Sequence, residues 1–456
     1  MGALAVRVLY VLIAPAVPSI VDLDEVDYDQ IARHVARGDG FGYGPDALSS
    51  FRPPIYPLFL AAIYWIFGIN HTVVRLVQAL IGATLPVIVY LAARRRFSPT
   101  ESAVGAVICA LYPAFIGMSG SLMTETIFVP MLALVILGLI LVEEDPTWGR
   151  IFVTGIFLGL TLLARASAAT LMLLIPFWMF WRFPKARVQG FFKGVVIGAV
   201  AVVTVLPWTA RNWRVHDALI PVSSNGGHIF WLGFHQLDRA GNQDFTRAEA
   251  YRAKEGRRAK SEVYYQLAAE DNLLGFPILR QIYMEIYPDQ PVPPDEAQLN
   301  RAYFARTVEF MRQHPGTVVV KIIKDTLRVP YFFDNFGRYV FSWGCLLPFL
   351  IAGLWITRTR WRELTAFYLF FVSLVLLEVI FHATPRFRLP YEPFMILFGA
   401  ASGVALFRRF TVKNPMPYAL ISVVVLANLY FFYHSDSIRH IFRALARLIG
   451  LPVAPV

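Results

Sequence analysis

The sequence predicts an all-α integral membrane protein, and three observations carry that expectation. Of 456 residues, 57% are hydrophobic and only 16% are charged, where a soluble domain carries about a quarter charged. Mean hydropathy is +0.53. The apolar runs approach ~20 residues, the length a helix needs to cross a ~30 Å hydrocarbon core, and they are not the short alternating segments of an outer-membrane barrel.

The net charge is +11. In a soluble chain this would raise nucleic acid as a partner. Here the cations sit mostly in short loops between apolar runs, as the positive-inside rule requires, so no nucleic acid is expected. Cys109 and Cys345 both lie in apolar stretches and form neither a metal spacing nor a disulfide framework. Ala3 to Ile20 has a signal peptide's length but no evident cleavage site, and more apolar runs follow, so it reads as the first span.

The expected elements follow in order. Span one covers 3–20, and a first outer loop covers 21–54 with an interfacial helix from Asp27 to Arg37. Tyr56 to Phe67 is apolar but short, which suits a re-entrant or in-plane segment. Span two (72–93) ends at Arg94-Arg95-Arg96, which marks the cytoplasmic side and puts loop 21–54 outside. Spans three (101–119) and four (126–142) follow, then an inner loop with Glu143, Glu144, Asp145 and Arg150. Spans five (151–164) and six (168–182) join outside near Arg165, and 181–193 is basic and inner. Span seven (194–209) is expected to stop outside at Pro207-Trp208 and Arg211-Asn212.

Residues 211–338 have soluble composition, with helices expected at 247–274 and 295–313 around a Pro-rich connector, 284–299. Spans eight (340–357), nine (364–382), ten (391–407) and eleven (417–433) complete the chain. Arg358, Arg360, Arg362, Arg408, Arg409 and Lys413 fall inside. Three units result: a transmembrane module at 1–210, an extracytoplasmic region at 211–338 and a second transmembrane module at 339–456. No repeat of fixed period is evident.

On this topology the out-of-place polar residues converge on the outer face: Asp24, Glu25, Asp27, Arg52, Glu125, Arg165, Arg211, Asn212, His228, Arg386 and Arg388. A charge near a span costs up to about 2.5–3.5 kcal/mol at the bilayer centre, so this many on one side of so apolar a chain implies a polar cavity. The carboxylates suit deprotonation of a nucleophile or, close together, Mg²⁺ or Mn²⁺ through oxygens. The arginines suit phosphate, whose oxygens match their planar forks. Together they fit transfer of a group from a lipid phosphate.

Five pieces of sequence then carry a resemblance. Asp24 to Tyr28, Gly38 to Phe41 and Arg52 to Pro57 make up the first; LMTETIF, LLARAS, LPWTARNWRVHDALIPVSSNGGHIFWLG and HATPRFRLPYEP follow in order. The set resembles the GT-C superfamily of membrane glycosyltransferases, closest in pattern to the group of the aminoarabinose transferase and the protein O-mannosyltransferases. The resemblance implies a GT-C fold of about 11 transmembrane helices, with in-plane helices in the first outer loop and a long extracytoplasmic loop. It implies a polyprenyl-phosphate sugar as donor, a lipid, glycan or protein as acceptor, and an inverting displacement at the outer face of the cytoplasmic membrane. By position in the motif, Asp24 is similar to the catalytic base and Glu125 to the family's second acidic position. Arg52 stands where relatives tend to have a lysine that contacts donor phosphate. Glu25, Asp27, Tyr28, Tyr56, Arg165, Arg386 and Arg388 are the further substrate-binding candidates, and the metal question stays open.

Each residue has a plainer role beside this one. Tyr28 suits an interfacial aromatic belt, Arg52 a headgroup anchor, one of Arg386 and Arg388 a pair with Glu392, His228 an ordinary residue of a Gly-rich turn, and Asp22 a solvated acid. The rival function is a flippase or transporter of lipid-linked sugars. It calls for charges at mid-membrane depth or on both sides and for paired broken helices.

Overall fold

The computed structural model describes residues 1–13, 23–45, 47–235, 283–284, 291, 295–328, 330, 340–381, 385–408 and 416–434. The described residues are almost wholly helical: α1 (Gly2–Ile13), α2 (Leu23–Arg37), α3 (Ile55–Phe67), α4 (His71–Gly82), α5 (Leu85–Ala93), α6 (Pro99–Leu111), α7 (Pro113–Gly117), α8 (Glu125–Glu144), α9 (Trp148–Ala164), α10 (Ala169–Arg182) and α11 (Arg187–His216). Beyond them lie α12 (Gly226–His235), α13 (Glu296–Gln313), α14 (Pro315–Arg328), α15 (Phe341–Thr357), α16 (Thr365–Ile380), α17 (Pro385–Arg388), α18 (Glu392–Phe407) and α19 (Met416–Tyr433). The expected helix at 247–274, most of the connector 284–299, Asp22 and Tyr331-Phe332-Phe333 lie outside the described residues.

The chain is a multi-pass membrane protein. By length and composition five described helical stretches can cross a membrane, six if the bent pair Pro99–Leu111 and Pro113–Gly120 is one span. The stretch Phe341–Ile380 holds two of the expected spans joined by a 3-10 turn, while α1, α3, α9 and α10 are apolar but shorter.

Four expectations are corrected, each for a local reason. The first-loop helix begins at Leu23, not Asp27. Asp24 and Glu25 therefore occupy its first turn, where carboxylates complement the helix dipole. Span three breaks by 48° before Pro113, because Tyr112 is driven to extended backbone (φ −65°, ψ 120°) by the following proline. Span seven does not stop at Pro207 but continues to His216. A proline inside a membrane helix is tolerated where neighbouring groups offer the backbone other hydrogen bonds. Here Thr209 Oγ1 donates to Val205 O (3.3 Å) and Trp208 Nε1 to Val222 O (2.8 Å). The Gly-rich turn at His228 is instead the start of α12, and a Cβ at Gly227 would lie 2.2 Å from Asn300 O, so glycine is what lets α12 approach α13.

α8 forms the buried axis, with Val135, Ile136, Leu139 and Ile140 all fully buried. Its two ends differ. Near Glu143 and Glu144 gather Arg95, Arg96 and Arg182, with Arg96 to Glu144 at 2.7 Å and Arg95 to Glu144 at 3.0 Å. Glu125, at the other end, lies ~27 Å away at 1.5 Å per residue. The residues assigned to the inner loops thus cluster opposite those assigned to the outer ones.

Small residues let α9 and α11 pack closely. A Cβ at Gly155 would lie 2.7 Å from Val200 Cβ, and one at Gly159 would lie 2.5 Å from Thr204 Cβ and 2.7 Å from Ala201 O. Gly159→Leu is therefore expected to force these helices apart. A thermal melt of the detergent-solubilised protein should read this as a destabilisation of about 1–3 kcal/mol, the usual cost of overpacking. An unchanged melting temperature would mean that the helices do not meet at this glycine.

Candidate active site

The site is built where α2 meets the starts of α8 and α17. α2 is an amphipathic helix whose Val26, Tyr28, Ile31 and Ala32 are buried. It ends at Gly38 (φ +89°) and Gly40 (φ +95°), left-handed positions that only glycine adopts cheaply and that turn the chain back along the helix. The returning strand is pinned by an isolated antiparallel bridge between Gly42 and Leu48. It delivers Tyr43, whose hydroxyl donates to Asp27 Oδ1 (3.1 Å). Then Arg52, fixed by Pro53-Pro54 at the head of α3, reaches back to α2.

Arg52 holds two carboxylates of α2. Its Nε donates to Asp27 Oδ2 (2.8 Å), its Nη2 also contacts Asp27, and Nη2 lies 2.5 Å from Asp24 Oδ1. Arg386, presented by the single turn of α17, bridges Asp24 and Glu125: Nη1 donates to Asp24 Oδ2 (2.5 Å) and Nε to Glu125 Oε1 (2.6 Å). Arg165, at the end of α9, donates to the same Glu125 oxygen (2.6 Å) and lies between the Phe128 and Phe387 rings, 5.6 Å from each. Three carboxylates and three guanidiniums from five chain segments thus form one network.

Within it Asp24 is the reachable carboxylate. Its side chain is 20% exposed, against 3% for Asp27 and 4% for Glu125. Burial opposes ionisation of Asp24, but the guanidiniums of Arg52 and Arg386 outweigh it and hold its carboxyl well below the usual carboxylate range. Asp27 shares only Arg52, and burial pushes it up to about 6. Two acids on one cation are thereby split into an anion and a group that titrates near neutrality. Burial also pushes the Tyr28 hydroxyl up to about 12. Its ring lies under Arg52 (5.3 Å) and edge-on to Tyr56 (5.0 Å).

Of the sequence-derived candidates, Asp24, Asp27, Tyr28, Arg52, Glu125, Arg165 and Arg386 come together. Three are placed differently. Tyr56 is buried but donates to Gln78 Oε1 (2.6 Å), since its place on the first turn of α3 aims it at α4. Arg388 is two residues past Arg386 on a single helical turn and so points elsewhere, pairing with Glu392 (2.9 Å) and stacking on Trp343 (3.8 Å). Glu25, next to Asp24 on the helix, is buried within electrostatic reach of Tyr56. Arg211 and Asn212 are structural: Arg211 donates to Phe41 O and Ser49 O (2.7 Å each), and Asn212 Oδ1 accepts from Ser50 Oγ (2.7 Å). His228 stacks on Trp231 (6.1 Å).

Two supports were missed from sequence. Glu296 accepts from Ser49 Oγ (2.5 Å), Ser50 N (2.9 Å) and Ser224 Oγ (2.8 Å), tying the strand before Arg52 to α13. Asp29 accepts from Arg33 (2.7 Å) and Tyr64 (2.5 Å) and meets His71 (3.0 Å), tying α2 to α3 and α4. Asp29 carried a weak signal, being an acid on the apolar side of an amphipathic helix; Glu296 carried none. Among the described residues no group of three or more His, Cys, Asp or Glu side chains is placed to hold a metal ion.

Residues 51–208 match the family model described as dolichyl-phosphate-mannose-protein mannosyltransferase. No curated protein matches the sequence significantly. Among solved structures, the apo oligosaccharyltransferase of Archaeoglobus fulgidus is 15% identical, with a TM-score of 0.55 over 95% of this chain and 55% of that one. The same archaeal enzyme, AglB, in complex with an inhibitory peptide and a dolichol-phosphate, is 14% identical with a TM-score of 0.51 at the same coverages. ArnT from Cupriavidus metallidurans bound to undecaprenyl phosphate is 15% identical, with a TM-score of 0.38 over 91% of this chain and 80% of that one. The chain spans 55% of the length of the archaeal structures. The chain has the GT-C fold.

Proposed function

We propose that this protein is an inverting glycosyltransferase that moves a sugar from a polyprenyl-phosphate donor to an acceptor at the extracytoplasmic face of the cytoplasmic membrane. The observation that carries the reading is Asp24, the partly exposed carboxylate of a buried network, held between two arginines that a phosphate could engage instead. The positive-inside rule supports the outward face, because the opposite end of the bundle carries Arg95, Arg96 and Arg182. The matched family model's description favours mannose among the donor sugars and protein among the acceptors. The archaeal structure with dolichol-phosphate supports a lipid-phosphate carrier. The rival transport reading has less support, since Asp24, Arg52, Glu125, Arg165 and Arg386 all gather at one end.

In this reading the donor's phosphate oxygens draw Arg52 and Arg386 off Asp24. Asp24 loses its two positive neighbours and becomes more basic. It takes the proton of the acceptor hydroxyl as the acceptor oxygen bonds to the anomeric carbon. The bond from that carbon to the phosphate oxygen breaks on the opposite face, its electron pair stays on the phosphate, and the arginines hold the charge. Phosphate is a good leaving group, so no acid is required. Arg165 keeps Glu125 neutralised as Arg386 moves, and Asp27 with Tyr43 orients Arg52.

The test is a transfer assay on purified protein with radiolabelled polyprenyl-phosphate sugars and a membrane extract as acceptor. Label moving from one donor into a new product establishes the enzyme and names its sugar. Binding of every donor without transfer to any product contradicts the reading.

A pH dependence follows from Asp27, whose carboxyl titrates at about 6, above its ordinary value. Protonation removes a negative charge from Arg52, so affinity for the phosphodiester donor should strengthen as the pH falls toward about 6 and level off below it. The gain is up to roughly tenfold per unit by which donor raises the Asp27 pKa. Isothermal titration of donor across this range should find the effect in the wild type and a flat profile in Asp27→Asn. A wild-type profile that weakens toward low pH would remove Asp27 from the account.

A further inference from the structure

α14 is amphipathic with its faces reversed. Its charged pair is buried: Lys321 is 1% exposed and Asp325 4%, and they meet at 3.1 Å. Its aliphatic residues are not: Val319 is 55% exposed, Ile322 40% and Ile323 52%. With Thr326 these stand at i, i+3, i+4 and i+7, one stripe of a helix. Thr326 is exposed too, but its hydroxyl donates to Ile322 O (2.8 Å), so its proton is satisfied within the helix. The buried pair has a partner. Lys321 Nζ donates to Val379 O and lies 4.4 Å from the centre of the Phe234 ring of α12. Val379 is in the last turn of α16, where carbonyls lack partners within the helix and a cation complements the dipole. α14 is thereby fastened to the end of a membrane span. It is the end from which α17 carries Arg386 to Asp24.

That position says what faces the stripe. In water the reversal is unfavourable twice over, since it desolvates a charged pair and leaves aliphatic side chains wet. Against lipid the exposed aliphatic face becomes favourable: an amphipathic helix at a bilayer surface buries its apolar face about 5–10 Å into the boundary of headgroups and acyl chains. With 14 residues α14 is ~21 Å long, too short to cross a bilayer. The span it is fastened to presents apolar residues to lipid as well, Val372 among them at 54% exposed. Arg312, exposed just before the helix, and Lys324, half-buried next to Ile323, supply cations for lipid phosphates. A protein partner would bury about 800 Å² on each side, far more than this short stripe offers. We propose that α14 is an interfacial helix whose Val319, Ile322 and Ile323 insert into the lipid leaflet at the end of the bundle that holds Asp24. Part of the hydrophilic region 211–338 is then seated in the membrane surface rather than surrounded by water. The proposal rests on the chain being a membrane protein and does not depend on the enzymatic reading.

The experiment is nitroxide labelling of the full chain in phosphatidylcholine vesicles, with Cys109→Ala and Cys345→Ser as background and Val319→Cys, Ile322→Cys, Ile323→Cys or Arg312→Cys as the single labelled site. Collision with oxygen, which concentrates in lipid, is compared with collision with a water-soluble nickel chelate. Expected is oxygen exceeding the chelate at 319, 322 and 323, and the chelate exceeding oxygen at 312. The chelate exceeding oxygen at all three stripe positions means that the stripe faces water and overturns the proposal. Protection from both reagents, with spin–spin broadening between labels, means that a second copy covers the stripe and overturns it equally. If the background variant fails to fold, a phosphatidylcholine carrying a diazirine in its acyl chain labels the wild-type chain in the same vesicles. Label is then expected on the peptide containing Val319–Ile323, and its absence there while the spans are labelled overturns the proposal.

Discussion

Asp24→Asn should lower turnover by ~10²–10⁴-fold, the contribution of a positioned general base, while donor binding persists or tightens. The asparagine keeps the size of the side chain and one oxygen to accept from Arg52 or Arg386, so the network retains its shape. What is lost is the group that takes the acceptor's proton. The negative charge that competes with phosphate for two guanidiniums is lost as well, so the donor should meet less resistance. Rate and affinity therefore move in opposite or independent directions, which a misfolded variant would not do. Single-turnover transfer and donor titration on one preparation check it. Equal turnover in wild type and variant removes Asp24 from the base role.

Arg386→Ala should have the broadest effect. Arg386 touches both Asp24 and Glu125, and it reaches them from a part of the chain more than 250 residues away in sequence. Its removal leaves two carboxylates short of a cation in a largely buried site, where breaking a pair costs about 3–5 kcal/mol. Donor affinity should fall in the same variant. Arg386→Lys should rescue little, because a single ammonium cannot present two separated donors to two carboxylates. The combination Arg386→Ala with Glu125→Gln separates the effects. It should regain stability, since one uncompensated acid is gone, yet stay poor in donor binding. Full recovery of both would make Arg386 a structural clamp and nothing more.

Much of this site was legible because polar residues are expensive in an apolar chain. Asp24, Arg52, Glu125, Arg165 and Arg386 stood out by composition, and the alternation of spans put them on one face. The cluster of Arg95, Arg96, Arg182, Glu143 and Glu144 lies at the opposite end of the bundle. What sequence could not resolve was direction. Arg386 and Arg388 read as a pair, but one helical turn sends the first to Asp24 and the second to Glu392. Glu25 and Asp24 are adjacent in sequence, yet successive residues on a helix face about 100° apart. Glu296 was invisible because its role is to accept hydrogen bonds from residues nearly 250 positions earlier, and nothing local marks it. Span ends were misjudged at Pro113 and Pro207 for opposite reasons. One proline follows an extended residue and breaks the helix, while the other is accommodated within it.

The most direct measurement is a structure of the protein with a polyprenyl phosphate bound. The account predicts phosphate oxygens at roughly 3 Å, hydrogen-bond distance, from Arg52 and Arg386, with Asp24 released from both and facing the open side of the site. Phosphate bound elsewhere, with the pairs from Asp24 to Arg52 and Arg386 intact, would contradict it.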